Sequence, residues 1–489
     1  MFELKAKEIL EAVKGSLITG DENLLVRGVS TDSRTIKQGE IFFALVGPNF
    51  DGNRFVEDVF KKKAGAAVVD KSFNSQPDAR SSRPIIAVDA TLIALGDLAR
   101  YWRNKHPLPL IAVSGSCGKT TTKEMIASIL NTSYCAVKTE GNLNNLIGMP
   151  LTLFGINNRH NAAVVELGIS EKGEMTKLAN ICKPDIALLT NIGSAHLKTL
   201  GDIDGVASAK GEIFSGLKED GVAVINMDDP CIVKIGERVK QRRVTFSIKS
   251  AADVFLKGYS KDNDSMSAVF NVNGDDTEVN INGYGIHNLS NAAAAIAAAV
   301  AVGAKKQDII DGLKNYKPLH GRMEPIKLEN DITVIDDTYN ANPASVEASL
   351  RSLSDMNPVR SPHVEGNKKT IGAGVVCRET SNGVKGRKIA VLGDMLELGD
   401  MSEESHRYIG RTAGMLGIDI LFAAGWFSRY IADGAVESGM DLKNIHTFSS
   451  KLDLVSALKQ TMRDGDVILV KGSRAAGMEE IVKQLTVNN

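Results

Sequence analysis

The run LIAVSGSCGKTTTK at residues 110–123 limits what this chain can become more than any other stretch. Leu110 to Val113 is an apolar run that reads as a buried strand, glycines at 115 and 118 make a turn, and Lys119 opens a segment of helical period. A strand that runs through a glycine turn into a helix is the unit from which parallel α/β sheets are assembled. The turn also has the physics of a phosphate cradle. Glycines let backbone N–H groups converge on an anion, and the helix N-terminus adds positive potential. In such a cradle Gly115, Ser116, Cys117, Gly118, Lys119, Thr120 and Thr121 surround the phosphates, Lys119 reaches the outer ones, and the Thr120 hydroxyl helps to hold Mg²⁺. The general pattern has a further glycine where this chain has Val113, so the loop is a shortened variant.

The same strand-then-helix rhythm recurs along the chain. Runs at 162–165, 186–190 and 222–226 are apolar, nearly unbroken and followed by polar or glycine turns, as expected of strands covered by helices on both faces of a mostly parallel sheet. The alanine-rich stretch 284–303 reads as a buried helix that closes this central region. Before it, strand candidates at 41–46, 66–69 and 84–88 make a smaller region; after it, candidates at 333–336, 388–392, 420–423 and 467–470 repeat the rhythm. The chain therefore divides into 1–88, 89–318 and 319–489, three α/β domains, which suits 489 residues at about 100–200 per domain. The Gly-, Asn- and Ser-rich stretch 354–387 exceeds an ordinary connection and is expected to be a mobile surface insertion.

Composition narrows the function. With 43% apolar and 24% charged residues the chain has enough apolar surface to fold. Its 58 basic and 59 acidic residues leave a net charge of −1, so no general field holds it on nucleic acid or an anionic membrane, and any anionic ligand needs a local site. Five scattered cysteines give neither a disulfide framework nor a CxxC pair. The N-terminal residues alternate charge with apolar side chains and lack a signal-peptide core, and the run 292–302 is too short to span a bilayer, so a cytoplasmic protein is expected.

Other residues stand where a phosphate site needs help. Glu166 ends the strand run AAVVE, at the tip where parallel sheets bind ligands. His196 follows a second strand tip, in TNIGSAH. Lys210 in AKGEIF and Arg322 in HGRME would, alone, be ordinary solvated cations. The run DDTYNANPAS at 336–345 ends a strand in two acids, crosses an Asn-rich loop and uses Pro343 to open a helix.

Taken in order, these pieces resemble the Mur ligases, the ATP-dependent amino-acid ligases of bacterial peptidoglycan synthesis. The likeness runs through GSCGKTTTK, TEGNLNNLIGMP (139–150), VVELG (164–168), TNIGSAHL (190–197), AKGEIF (209–214), GIHNLSNAAAA (285–295), GRMEPI (321–326), DDTYNANPAS, VLGDMLELG (391–399) and KGSRAAGME (471–479). Tyr339-Asn340-Ala341-Asn342-Pro343, with no Asp-Asn-Pro-Arg motif, is similar to the dipeptide-adding member rather than the diaminopimelate-adding one. The stretch 30–56 resembles the uridine-nucleotide domain, departing at Asn53, where the family leads one to expect His.

The resemblance implies a small N-terminal domain for the UDP-sugar, a central ATP domain and a C-terminal Rossmann-like domain on the D-Ala-D-Ala side. It implies ATP-driven acyl phosphate formation on UDP-MurNAc-tripeptide, followed by attack of the D-Ala-D-Ala amine. Thr120 and Glu166 would hold one Mg²⁺, and Glu166 and His196 a second beside a carbamylated Lys210. Asn288 would face adenine, Asp337 the ribose and Arg322 the γ-phosphate. Ser33 and Arg34 are the uridine-nucleotide candidates, Asn144 and Asn145 lie nearer the sugar, and Asn340 and Asn342 are on the dipeptide side. A monomer is expected. Two other readings stay open at this point: a sister ligase, either another Mur member or a folylpolyglutamate-synthase-like enzyme, and a nucleotide-binding switch without ligase chemistry.

Overall fold

The computed structural model describes residues 2–74, 82–194, 196–261, 265–356 and 386–486. Three sheets organise the chain. The first has five strands in the order Ser16–Thr19, Ile85–Val88, Ala66–Asp70, Ile41–Phe43 and Val29–Ser30. Phe42, Val59 and Val69 fill one of its faces, and Phe43, Val68 and Ile86 join the larger core on the other, with Ile9 and Leu95. Helix Thr91–Asn104 ties this sheet to the next. Its Trp102 Nε1 donates to the Ile156 carbonyl at 3.0 Å. Its buried Arg103 pairs with Asp185 at 2.9 Å and also donates to the carbonyls of Cys182, His106 and Leu108, so the buried guanidinium is compensated on several sides.

The central sheet has nine strands: Ala136–Lys138, Ala162–Glu166, Leu110–Ser114, Ile186–Leu189, Val222–Asn226, Arg242–Ser247, Val254–Lys261, Ser265–Val272 and Asp275–Asn282, in spatial order. The first seven pair parallel; the apolar runs predict four of them, Ala162–Glu166, Leu110–Ser114, Ile186–Leu189 and Val222–Asn226, and miss Ala136–Lys138, Arg242–Ser247 and Val254–Lys261, whose sequences mix polar and charged residues. The last three form an antiparallel meander, which the strand–helix rhythm of the sequence does not predict. Helices Lys119–Leu130 and Ile286–Val302 pack together on one face, where residues 292–299 are all buried. Seven of those eight are alanine, whose small side chains let the helix approach sheet and neighbour closely.

The third sheet has six strands, ordered Glu324–Lys327, Thr333–Asp337, Val467–Lys471, Lys388–Leu392, Ile420–Ala424 and Ile445–Phe448. All its pairs are parallel except the first, an antiparallel edge. The sequence reading predicted the four inner strands and missed the two edges. Of the interval 354–387, residues 357–385 lie outside the described residues. The fold sets the C-terminal tips of the inner strands of the central sheet, ending at Ser114, Glu166 and Leu189, against a cleft whose far wall carries the tips ending at Asp337 and Lys471. No helix among the described residues is long and apolar enough to cross a membrane.

Candidate active site

The phosphate loop is built from glycines that no other residue replaces. Gly118 has φ +78°, and a Cβ there would stand 2.3 Å from Asn291 Oδ1; at Gly115, with φ +141°, it would stand 2.0 Å from Thr190 Oγ1. Neighbouring strand tips hold the loop. Asn191 Oδ1 accepts from the Cys117 amide at 2.9 Å, Asn191 Nδ2 donates to the Cys117 carbonyl at 3.0 Å, and Thr190 Oγ1 donates to that same carbonyl at 2.5 Å. Ser116 Oγ accepts from the Gly193 amide at 2.9 Å and donates to the Gly193 carbonyl at 3.0 Å. Lys119, first residue of its helix, folds its Nζ back onto the carbonyls of Gly115 at 2.8 Å and Ser116 at 3.3 Å. A cation is thereby placed at the mouth of a rigid loop.

Glu166 stands beside this loop at the end of its strand, 2% exposed. Its Oε1 accepts from Asn144 Nδ2 at 2.9 Å, whereas its buried Oε2 has no hydrogen-bond partner. An unpartnered buried carboxylate oxygen is costly to maintain, and a hard divalent cation is the group that would compensate it. Thr120, its side chain buried in the same cleft, offers a neutral oxygen. The residues present therefore fit Mg²⁺.

Lys210 lies in helix Ile203–Gly211 with only 1% exposure. Read in isolation from sequence it was an ordinary solvated lysine; the structure buries it, because the small residues Ala207 and Ala209 and Val206 press its helix into the core. Burial first, and the Lys119 cation second, push the Lys210 ammonium down to about 7. His196, at φ +55°, caps the short helix Leu197–Leu200 and sets Nδ1 3.0 Å from Glu397 Oε2. Its imidazolium is disfavoured by burial and then by Lys210, against the pull of Glu397.

Across the cleft, Arg322 lays its guanidinium 4.1 Å from the centre of the Tyr339 ring, a cation–π stack that fixes a long side chain. Asp337 Oδ2 accepts from Lys471 Nζ at 2.5 Å and from Ser349 Oγ at 2.6 Å. Lys471 donates also to the Asn340 carbonyl at 3.0 Å. Asn342 caps helix Pro343–Asp355 by accepting from the Ser345 amide at 2.9 Å, and the Cys117 thiol reaches the same oxygen at 3.3 Å. Asn288 donates to the Tyr284 carbonyl at 2.7 Å and accepts from Asn291.

One cleft of about 520 Å³ gathers Ser116 to Thr121, Asn144, Asn145, Glu166, His196, Lys210, Asn288, Arg322, Asp337, Asn340 and Asn342. Ser33 and Arg34 are not among its lining residues: Arg34 is exposed and forks onto Asp32 at 2.9 and 2.8 Å, and the Ser33 carbonyl accepts from Lys62. The sequence assigns no role of their own to Lys471, Asn191, Tyr339 or Glu397. Lys471 opens the KGSRAAGME stretch and Glu397 lies in VLGDMLELG, so both were in view as motif letters without a role.

A glycine loop between a parallel strand and a helix, in a cleft walled by a second α/β sheet, is the layout of an enzyme that handles phosphate-bearing substrates, and sequence profiles identify the family. Profiles described as Mur ligase middle domain, Mur ligase glutamate ligase domain, and Mur ligase family catalytic domain match residues 113–299, 321–375 with 375–474, and 25–103. The chain belongs to the Mur ligase family. It is 36% identical over 486 residues to the UDP-N-acetylmuramoyl-tripeptide–D-alanyl-D-alanine ligase of Bacillus subtilis, covering 99% of each chain. A crystal structure of MurF from Acinetobacter baumannii superimposes with a TM-score of 0.85 at 30% identity, covering 99% of this chain and 98% of that one. MurF from Thermotoga maritima in complex with ADP gives 0.78 at 27% identity, over 94% and 96%.

Proposed function

We propose that this chain is an ATP-dependent ligase that adds D-alanyl-D-alanine to UDP-N-acetylmuramoyl-tripeptide through an acyl phosphate, as a cytoplasmic monomer. The observation that carries the reading is the end-to-end likeness to the Bacillus subtilis ligase, 36% identical over 99% of both chains. In this reading residues 1–88 bind the UDP-sugar, 89–318 bind ATP and 319–489 present the dipeptide.

A carboxylate does not acylate an amine at neutral pH, because its leaving group would be oxide. Phosphorylation supplies a leaving group, and the protein's part is to position anions and neutralise charge. Residues Gly115 to Thr121 cradle the ATP phosphates, and Lys119 neutralises charge at the outer ones. Arg322, already braced on Tyr339, turns its fork to the γ-phosphate. Asn288 faces adenine and Asp337, oriented by Lys471 and Ser349, the ribose. Thr120 and Glu166 would hold one Mg²⁺, and Glu166, His196 and Lys210 would serve a second. Bound there, Mg²⁺ supplies charge neutralisation for the phosphoryl oxygens.

Carbamylation of Lys210 belongs to the same reading. A buried ammonium beside Lys119 and a metal site is unfavourable, and the burial that disfavours it leaves a nucleophilic amine for CO₂. The carbamate carries the opposite charge and two oxygen donors. Asn144 orients Glu166 at 2.9 Å and, with Asn145, faces the sugar side. Ser33 and Arg34 serve the uridine nucleotide. Asn340 and Asn342 border the dipeptide, Asn342 through backbone it stabilises as a helix cap. The test is phosphate release from ATP with UDP-MurNAc-tripeptide, with and without D-Ala-D-Ala. Release and a new amide product only when all three are present support the proposal; equal turnover with single amino acids in place of the dipeptide would assign the chain to a sister specificity.

A further inference from the structure

We propose that His320, Glu324 and Asp336 form a second cation site, distinct from the phosphate cleft, suited to a transition-metal ion of the Zn²⁺ type. None of the three lines the cleft. Their ligand atoms, one imidazole nitrogen and two carboxylate oxygens, lie within 4.8 Å of one another.

Backbone geometry creates the cluster. Glu324 and Asp336 are directly opposed in the antiparallel pair Glu324–Lys327 and Thr333–Asp337, so their side chains share a face. Successive strand residues alternate faces, which sends Asp337 to the cleft and Asp336 to the other side. The turn before Glu324, closed by the Arg322 amide on the Leu319 carbonyl, brings His320 over the pair.

The observation that points to a ligand is Asp336 Oδ2. The residue is 0% exposed, and that oxygen has no hydrogen-bond partner. Its twin Oδ1 is held by the Thr338 amide at 3.1 Å and the Thr338 hydroxyl at 2.6 Å, so the carboxylate is oriented, with Oδ2 3.6 Å from His320 Nδ1. His320 does not satisfy it, because Nδ1 is already 2.7 Å from Glu324 Oε2 and carries at most one proton. A tetrahedral ion with metal–ligand bonds of about 2.0–2.2 Å needs ligand atoms about 3.3 Å apart. The Nδ1–Oε2 separation must open by roughly half an ångström and Nδ1–Oδ2 contract by less, movements that the 75% exposed His320 side chain permits. One imidazole with two carboxylates favours a borderline ion over Mg²⁺ or Ca²⁺, and two anions match a divalent charge. Because the ligands at 320 and 324 bracket Arg322, a bound ion would tie down the turn that carries it.

The test is a Co²⁺ titration of the full chain in excess Mg²⁺, followed by visible absorption, with Zn²⁺ as competitor. The site predicts a saturating band at one equivalent that Zn²⁺ removes. His320→Ala alters an exposed side chain, and it should weaken Co²⁺ binding by about a hundredfold or more. Glu324→Gln should weaken it in the same direction, and it keeps the test open if Asp336→Asn fails to fold. No saturable band in the wild type, or a band unchanged in His320→Ala, would overturn the assignment.

Discussion

Replacing Lys471 by Met tests how the far wall of the cleft is held together. Lys471 ends the strand Val467–Lys471 directly beside Asp337, its register partner, and the two are 3% and 8% exposed. Methionine keeps most of the volume and removes the charge, leaving the Asp337 carboxylate buried without its cation. Breaking a buried pair by removing one member costs about 3–5 kcal/mol. Ser349 Oγ and the Met323 amide still donate to Asp337, at 2.6 and 3.2 Å, which places the expected loss near the lower end, about 3 kcal/mol. For a cooperative unit of 150–250 residues that lowers Tm by about 6–12 °C. Calorimetry of the transition that melts the six-stranded sheet is the assay. Asp337→Asn in the Lys471→Met background removes the stranded charge and should recover at least half of the loss. A Tm drop under about 2 °C for Lys471→Met, or no recovery in the double variant, would refute the idea that this ion pair supports the wall.

Three further outcomes follow from the site. Lys119→Ala removes the cation at the loop mouth and should lower turnover by about a thousandfold with an unchanged melting curve; near-wild-type phosphate release would reject the phosphate role. Lys210→Ala should be nearly inactive and partly restored by acetate or formate in the vacated space, while Lys210→Arg should be inactive and not restored, since a guanidinium keeps the positive charge; full activity of Lys210→Arg without additive would remove the carbamate from the account. Asn342→Ala deletes the cap of helix Pro343–Asp355 and should destabilise the third sheet's domain by about 1 kcal/mol, measured by urea denaturation; an unchanged midpoint would mean that Asn342 does not act through its helix.

The four inner parallel strands of the central sheet were readable because they are covered on both faces. Runs such as 110–113 and 186–189 are apolar without interruption, and the glycine turns after them are local. The edges were not. Glu324–Lys327 is four residues long and contains Pro325, which belongs at a sheet margin but looks like a loop in sequence. The meander Val254–Asn282 alternates burial along its middle strand and turns at Asn273-Gly274, a hairpin signal overlooked in a region otherwise of parallel rhythm. In the site, the phosphate loop is contiguous and so was legible. The burial of Lys210, the Asp337–Lys471 pair and the His196–Glu397 contact join distant segments, and no local pattern encodes those distances.

The central claim is that ATP activates a carboxylate of the UDP-sugar peptide as an acyl phosphate, and the direct measurement follows an oxygen atom. UDP-MurNAc-tripeptide labelled with ¹⁸O in its terminal carboxylate is incubated with the enzyme, ATP, Mg²⁺ and D-Ala-D-Ala, and the released phosphate is analysed by mass spectrometry. Activation through an acyl phosphate transfers one carboxylate oxygen to each phosphate as the amide forms, so the phosphate should carry ¹⁸O in step with product. Amide product accompanied by phosphate free of ¹⁸O would contradict the account.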